Sequence, residues 1–164
     1  IKRMVEELRG RYIVVPTSAE SELALRRAAN AGLIRYLPGD RDFEVVGELK
    51  PAQRRALEYI RENVLEVWGS TGVQEVINRA VFDSLGMIAV FPVENETRLT
   101  DHSGRVLPDV FLVPRGTTAR ELAYMIHTEL GERFMFAIDV VRRQRLGADA
   151  ELSHRSVVKI VAAR

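Results

Sequence analysis

The sequence predicts an α+β fold, because strand-like and helix-like patterns occupy different parts of the chain. After Gly86, short apolar runs rich in branched residues cover 88–93, 106–114, 135–141 and 157–161, as strands do. Thr118 and Glu121 have the spacing of a capping box, which begins a helix between the second and third runs. Two strands, a helix and further strands within about 75 residues are typical of a β-grasp module.

Residues 1–36 predict two helices around one buried strand. Apolar residues recur at helical spacing over 1–8, and the run Tyr12–Val15, which Pro16 ends, has the composition of a buried strand. Thr17 and Glu20 have capping-box spacing at the start of a helix that reaches about Asn30. Helix, strand and helix in this order predict the closing unit of a parallel α/β sheet.

Residues 37–87 predict a helical hairpin that links the two halves. Pro51 suits the first turn of a helix reaching about Trp68, and the run Gly69–Gly72 interrupts it. A further helix extends to about Leu85, with Thr71 and Gln74 at capping-box spacing. The predicted organisation is therefore 1–36, 37–87 and 88–164.

Composition excludes several classes of protein. The chain has 164 residues, with 24 Lys and Arg against 23 Asp and Glu, so no global charge attracts nucleic acid or a membrane surface. It has no cysteine, which excludes a disulfide scaffold and a thiolate metal site. No apolar run approaches the roughly 20 residues of a membrane span.

Familiar catalytic and metal-binding motifs are missing from the sequence. His102, His127 and His154 lie too far apart to form a local ligand pair, and no Gly-Lys dipeptide is present to form a phosphate-binding P-loop. We therefore predict no catalytic residue and no metal ligand in this chain.

Two helix starts are candidate binding loops. The predicted strand 12–15 runs into Thr17, Ser18 and Ala19, and ligands of α/β sheets bind beyond the carboxyl ends of strands. The turn Gly69–Gly72 also precedes a helix and could hold an anion. Ordinary helix capping is the alternative, and on spacing alone it is the better explanation of both features.

The third candidate is a basic group in the second half. Arg142, Arg143 and Arg145 stand together before Gly147, and planar guanidinium groups suit phosphate. Aromatic residues nearby, namely Tyr124, Phe134 and Phe136, could stack on bases, and an exposed His127 could do the same. A solvated hairpin and a partly buried structural histidine are the alternatives.

The stretch Val106–Thr128 resembles the TGS domain, named for threonyl-tRNA synthetase, GTPases and SpoT-type stringent-response enzymes. The matching phrases are Leu107-Pro108, Pro114-Arg115-Gly116-Thr117, Leu122-Ala123 and Ile126-His127-Thr128, with Gly131 and the run Val157–Val161 after them. The resemblance covers about 88–163 and implies a β-grasp fold.

The preceding half resembles archaeal Obg-related, YchF-like GTPases. Gly69–Phe82 is similar to the stretch that precedes their TGS domain, and Pro16-Thr17-Ser18-Ala19 is similar to their last nucleotide motif, the Ser-Ala loop. The resemblance implies that Thr17, Ser18 and Ala19 form the nucleotide-binding loop, in which the backbone N–H of Ala19 meets the guanine carbonyl and Ser18 shapes the loop.

The resemblance further implies that this chain is a carboxyl-terminal portion, with the P-loop, the switches and the Asn-Lys-x-Asp motif before Ile1. GTP, with Mg²⁺ in the parent protein, is the expected cofactor, and this portion alone should neither bind it tightly nor hydrolyse it. Preference for GTP over ATP depends on the missing base-reading motif.

Expected partners are the ribosome or RNA, through His127, Arg142, Arg143 and Arg145, and the rest of the G domain. No membrane or DNA contact is expected, and the implied location is the cytoplasm. The alternative is a TGS module that docks another protein, or its own G domain, without binding RNA. A piece of a stringent-response or synthetase enzyme would match only the last half.

Overall fold

A computed structural model describes residues 1–8 and 10–163. The chain divides into two compact units, of which the first ends at Val81 and the second begins at Phe82. The last residue of the predicted 88–164 domain lies outside the described residues.

Unit 1 is mostly helical. Its elements are α1 (Lys2–Leu8), α2 (Ala19–Asn30), β1 (Ile34–Arg35), β2 (Glu44–Val45), α3 (Pro51–Ile60), a π-helical stretch (Arg61–Leu65), α4 (Glu66–Trp68) and α5 (Val73–Asn78). A second π-helical stretch, Arg79–Ser84, carries the chain across the division between the units. The two-stranded sheet of β1 and β2 is antiparallel, and no periodicity in 37–47 predicts it.

One apolar core joins the two predicted segments of unit 1. Leu25 from α2 packs in the same cluster as Leu57 and Ile60 from α3. The remaining buried members are Ile34, Tyr36, Phe43 and Leu65. Residues on both sides of position 36 therefore share a core.

The predicted strand 12–15 does not form. Tyr12 makes a single β-bridge, residues 13–15 belong to no strand, and Tyr12 and Ile13 are 69% and 54% exposed. The prediction was wrong because a buried strand needs neighbouring strands to pair its backbone, and the described residues supply none beside this segment.

The described part of unit 2 is a mixed five-stranded sheet with helices. Its elements are β3 (Met87–Pro92), β4 (Phe111–Pro114), α6 (Ala119–Ile126), α7 (Thr128–Glu132), β5 (Phe134–Asp139), β6 (Gln144–Leu146) and β7 (Ser156–Ala162). The strand order is β4-β3-β7-β5-β6, with β3 and β7 parallel and the other neighbours antiparallel. This arrangement confirms the predicted β-grasp module.

The core of unit 2 lies between α6 and the sheet. Leu122 and Ala123 of α6 are fully buried against Val90, Val113 and Val158. Alternation along the strands places Phe136 and Ile138 on the other sheet face, because their neighbour Ala137 belongs to the core.

Unit 2 differs from the sequence prediction at two further elements besides β6, which no predicted run covers. The strand predicted over 106–114 pairs with β3 only from Phe111, since Leu107 has a left-handed φ of 42° and Pro108 has no N–H for a ladder. The helix predicted to continue to Leu130 stops at Ile126, because His127 is extended (φ −162°, ψ 136°) and begins α7. Gly131, predicted to end the helix, is buried inside α7.

Of the three predicted capping boxes, the structure contains one. Thr118 accepts from the backbone N–H of Glu121, whose carboxylate accepts from the backbone N–H of Thr118. The boxes at Thr17 and Thr71 were wrong, because Ser18 and Gly72 hold the cap positions of α2 and α5 and neither makes a side-chain capping bond. Both threonine hydroxyls have other acceptors.

Candidate functional site

The two candidate loops of the first half lie against each other. The backbone N–H of Ser18 donates to the carbonyl of Thr71 at 2.8 Å. Gly72 approaches the same segment so closely that a Cβ there would lie 2.0 Å from the carbonyl oxygen of Pro16. The run Pro16–Ala19 is therefore seated on the turn Gly69–Gly72.

The buried carboxylate of Glu22 stabilises this junction. Glu22 is 4% exposed, and its Oε2 accepts from the hydroxyl of Thr71 at 2.6 Å and from that of Tyr36 at 2.7 Å. Its Oε1 accepts from Nε of Arg26 at 2.7 Å, one helical turn later. Glu22 thus links α2 to the turn at 71 and to the segment after β1.

Electrostatics favour the ionised form of this carboxylate. Burial alone would raise the pKa of Glu22, but the hydrogen bonds from Thr71, Arg26 and Tyr36 outweigh it and the pKa lies below its usual value. Burial, together with its bond to Glu22, raises the pKa of Tyr36. The cluster therefore holds an ionised Glu22 and a neutral Tyr36 through the neutral pH range.

The predicted binding residues Thr17, Ser18 and Ala19 differ in what they offer a ligand. The hydroxyl of Thr17 donates to the carbonyl of Val15, and that of Ser18 donates to Ser21, while the Ser18 N–H is held by Thr71. Ala19 is exposed and is the first residue of a 12-residue helix, so its N–H has no intrahelical acceptor. The backbone N–H of Ala19, at the start of α2, therefore remains available to a ligand carbonyl.

The turn Gly69–Gly72 does not present its groups as an anion site. Thr71 is 1% exposed and directs its hydroxyl to Glu22, and Ser70 accepts from the backbone N–H of Gly72 at 3.1 Å. These contacts connect the turn internally and to the Pro16–Ala19 loop. Its role in the structure is to support that loop.

The predicted basic group lies on the hairpin of β5 and β6. Arg142 and Arg143 occupy the turn, and Arg145 belongs to β6, with all three exposed. Arg142 donates to Ser153 Oγ at 2.9 Å, and the guanidinium of Arg145 lies 3.8 Å from the ring centroid of Phe136. The structure therefore brings the three arginines to one hairpin.

His127 lies elsewhere on unit 2. It is exposed at the end of α6, and its Nδ1 accepts from the backbone N–H of Glu129 at 3.3 Å, so it is not a partly buried side chain. Among the described residues its hydrogen bonds are local, and none reaches the three arginines.

The aromatic residues considered for base stacking have separate environments. Phe134 is buried, and the Tyr124 ring packs over Gly131, where a Cβ would approach ring atoms to 2.2 Å. Phe136 already carries Arg145 on one face. It is the ring that lies beside the basic hairpin.

The sequence did not predict the cluster of Glu22, Tyr36 and Thr71. A usable signal was the position of Glu22 on the face of α2 that also presents Ser21 and Leu25, both buried. A carboxylate on a buried helix face needs partners, and Arg26 at i+4 supplies one within the helix.

In the described ranges, no helix is both long and apolar enough to cross a bilayer. The same residues contain no group of three or more histidine or acidic side chains arranged to hold a metal ion.

Two family patterns together account for most of the chain. Residues 1–95 match the Obg-like GTPase YGR210-like, G4 motif-containing domain, and residues 103–162 match the TGS domain. The first match covers the Pro16–Ala19 loop and the turn Gly69–Gly72 that supports it, and the second covers the basic hairpin.

Similar proteins carry related descriptions. An uncharacterized GTP-binding protein of Methanocaldococcus jannaschii is 53% identical over 165 residues, which are 99% of this chain and 41% of that protein. An uncharacterized GTP-binding protein of Schizosaccharomyces pombe is 33% identical over 122 residues, covering 69% of this chain and 30% of that protein.

A crystal structure of a GTP binding protein from Pyrococcus horikoshii OT3 has a TM-score of 0.72 at 48% identity, covering 99% of this chain and 41% of that chain. The chain thus spans about two fifths of the length of its archaeal relatives. It belongs to the YGR210-like family of Obg-like GTPases and carries a TGS domain in its second unit.

Proposed function

We propose that this chain is the carboxyl-terminal portion of a longer GTP-binding protein, related to the YchF-like members of the Obg group. Its Pro16–Ala19 loop would contribute to the nucleotide site, and GTP with Mg²⁺ would be the cofactor of the complete protein. The names of the archaeal relatives and the lengths they have beyond this chain support the proposal.

One observation carries the nucleotide role. The Ser18 N–H is fixed to the Thr71 carbonyl, which leaves the adjacent Ala19 N–H exposed at the start of α2. A fixed backbone donor can recognise a guanine carbonyl oxygen without any particular side chain. We assign that contact to Ala19, with Ser18 and Thr17 shaping the loop.

The substitution Ala19→Pro tests this contact in the longer protein. Proline is well tolerated at the first position of a helix, so it removes the N–H and leaves the helix intact. Loss of one hydrogen bond of about 0.5–1.5 kcal/mol should weaken GTP and GDP binding by roughly 2- to 12-fold. Calorimetric titration measures the change, with Ala19→Ser as the control, and unchanged affinity in Ala19→Pro would overturn the assignment.

For the second unit we propose contact with RNA or the ribosome, in a cytoplasmic role connected with translation. Arg142, Arg143 and Arg145 present exposed guanidinium groups on one hairpin, and Arg145 extends over Phe136. Guanidinium groups bind phosphate through paired N–H donors, and an aromatic ring beside them can take part in stacking. His127 would add a contact from the end of α6.

Co-sedimentation with ribosomes and with free RNA at two salt concentrations tests this role. Three phosphate contacts on single strands should give a log–log salt slope of about −2. The triple variant Arg142→Ala, Arg143→Ala, Arg145→Ala should lose binding and its salt dependence. The triple variant Arg41→Ala, Arg54→Ala, Arg55→Ala removes the same charge from exposed positions of unit 1 and should bind as the wild type does.

The second candidate function is protein docking by the TGS module without RNA. Leu112, Met135 and Val141 are large apolar side chains that unit 2 leaves at least half exposed, and such residues favour protein interfaces. Absence of RNA and ribosome binding at either salt concentration would favour this function over the RNA role.

A further inference from the structure

A cavity of about 630 Å³ opens between α6, α7 and the sheet in unit 2. Its apolar lining includes Val93, Phe111, Ile126, Leu130, Val158 and Ile160. Val158 is fully buried, whereas Phe111, Ile126 and Leu130 are only partly covered. The volume lies in the range of about 300–1,000 Å³ that ligand pockets occupy.

The cavity exists because the chain before β4 does not pair with β3. Leu107 and Pro108 interrupt the extended chain, so the sheet begins only at Phe111. Val110, just before it, is 55% exposed at the opening. Apolar side chains that a longer β4 would cover therefore line an open space.

Two exposed carboxylates stand at this opening, on Glu94 and Asp109, whereas the Asp101 carboxylate beside them is only 11% exposed. Glu94 follows the end of β3 and Asp109 precedes the start of β4, and antiparallel pairing of Val90 with Phe111 brings those two ends together. Arg105 pairs with Asp101, and His102 lies 3.3 Å from Glu94. Asp109 is exposed and has no hydrogen-bond or ion-pair partner among the described residues.

We propose that this cavity, named here the acidic pocket, binds a basic protein segment that places a large apolar side chain between arginine or lysine residues. The apolar lining accommodates the side chain, and the carboxylates attract the flanking cations and repel phosphate. Negative charge at the opening therefore favours a protein segment over RNA. The proposal is independent of the nucleotide loop and of the basic hairpin.

Methyl-resolved NMR titration of the whole chain tests the proposal. The probe is the capped pentapeptide Gly-Arg-Leu-Arg-Gly, with Gly-Glu-Leu-Glu-Gly and Gly-Arg-Ser-Arg-Gly as matched controls for charge and for the apolar side chain. We expect saturable shifts of the Ile126, Leu130 and Val158 methyl groups with the probe, and far smaller shifts with either control.

Charge reversal separates specific binding from general attraction. Asp109→Lys should lower the affinity for the probe peptide about fivefold or more, since a nearby charge pair contributes about 1 kcal/mol at the surface. Asp149→Lys makes the same change at an exposed site outside the pocket and should leave affinity unchanged.

Several results would overturn the proposal. These are the absence of saturable shifts with the probe, equal shifts with the acidic peptide, equal weakening by both charge reversals, or shifts of the same methyl groups caused by a short RNA. Shifts that appear on concentrating the chain without peptide would assign the pocket to a second copy and also contradict it.

Discussion

Glu22 and Thr71 lie 49 positions apart in the sequence and share a buried hydrogen bond of 2.6 Å. The contact joins the first turn of α2 to the turn that precedes α5. Ser18, one turn before Glu22, donates its backbone N–H to the same Thr71. Thr71, in the turn before α5, therefore fixes the position of the Pro16–Ala19 loop, to which we assign nucleotide contact.

Removing the Thr71 hydroxyl should destabilise unit 1. Thr71→Val keeps the side-chain volume but deletes a hydrogen bond to an ionised carboxylate, and we expect the free energy of unfolding to fall by about 1.5–3 kcal/mol. Urea unfolding followed by the fluorescence of Trp68, the single tryptophan, reports on this unit. Thr17→Val removes an exposed hydroxyl and should cost less than about 0.5 kcal/mol, and an equal cost in both variants would contradict the prediction.

The Glu22 cluster should give unit 1 a defined pH dependence. Because the folded-state pKa of Glu22 lies below its usual 4.5, its contribution to stability is present above that value and is lost as pH falls through the folded-state pKa. The raised pKa of Tyr36 has the opposite sense, so its contribution is present below pH 10 and is lost as pH rises through the folded-state pKa.

The variant Glu22→Gln isolates the acidic side of this profile. Between pH 7 and pH 3, the Trp68-detected stability of the wild type should fall more than that of the variant. Parallel curves for the two proteins would show that other carboxylates account for the acid loss.

Local patterns predicted unit 2 well. Four of the five strands of the β-grasp sheet followed from short apolar runs, and the Thr118–Glu121 box located the start of α6, because such signals depend on near neighbours in sequence. The break at His127 was not predicted, since the apolar stripe continues through Leu130 and only the extended backbone of His127 separates the two helices.

Unit 1 shows where sequence patterns are insufficient. The run Tyr12–Val15 has strand composition, yet a strand depends on neighbours that a local pattern does not specify. The bond between Glu22 and Thr71 joins elements whose approach depends on the shared core of Leu25 and Leu57. The resemblance identified the Pro16–Ala19 loop, whereas the contact of Thr71 that supports the loop became visible only in the three-dimensional structure.

Gly72 should tolerate substitution worse than Gly69, although both have left-handed backbone, with φ of 78° and 84°. A Cβ at Gly69 meets nothing within 4 Å, so Gly69→Ala should cost only the conformational strain of about 1–2 kcal/mol. A Cβ at Gly72 would lie 2.0 Å from the Pro16 carbonyl, so Gly72→Ala must also displace the loop, at a further cost of about 1–3 kcal/mol. Urea unfolding followed by Trp68 fluorescence compares the variants. An equal loss of unfolding free energy in both would show that the close contact at Gly72 does not affect stability.

The capping box of α6 should contribute measurably to the stability of unit 2. Thr118→Ala removes the acceptor of the Glu121 N–H and should lower the free energy of unfolding by about 1 kcal/mol, measured by thermal unfolding with circular dichroism. The backbone N–H of Thr118 lowers the pKa of Glu121, so the carboxylate half of the box weakens as acid protonates it. Thr97→Ala, in an exposed loop of the same unit, should leave stability unchanged, and a loss there as large as in Thr118→Ala would contradict a specific capping role.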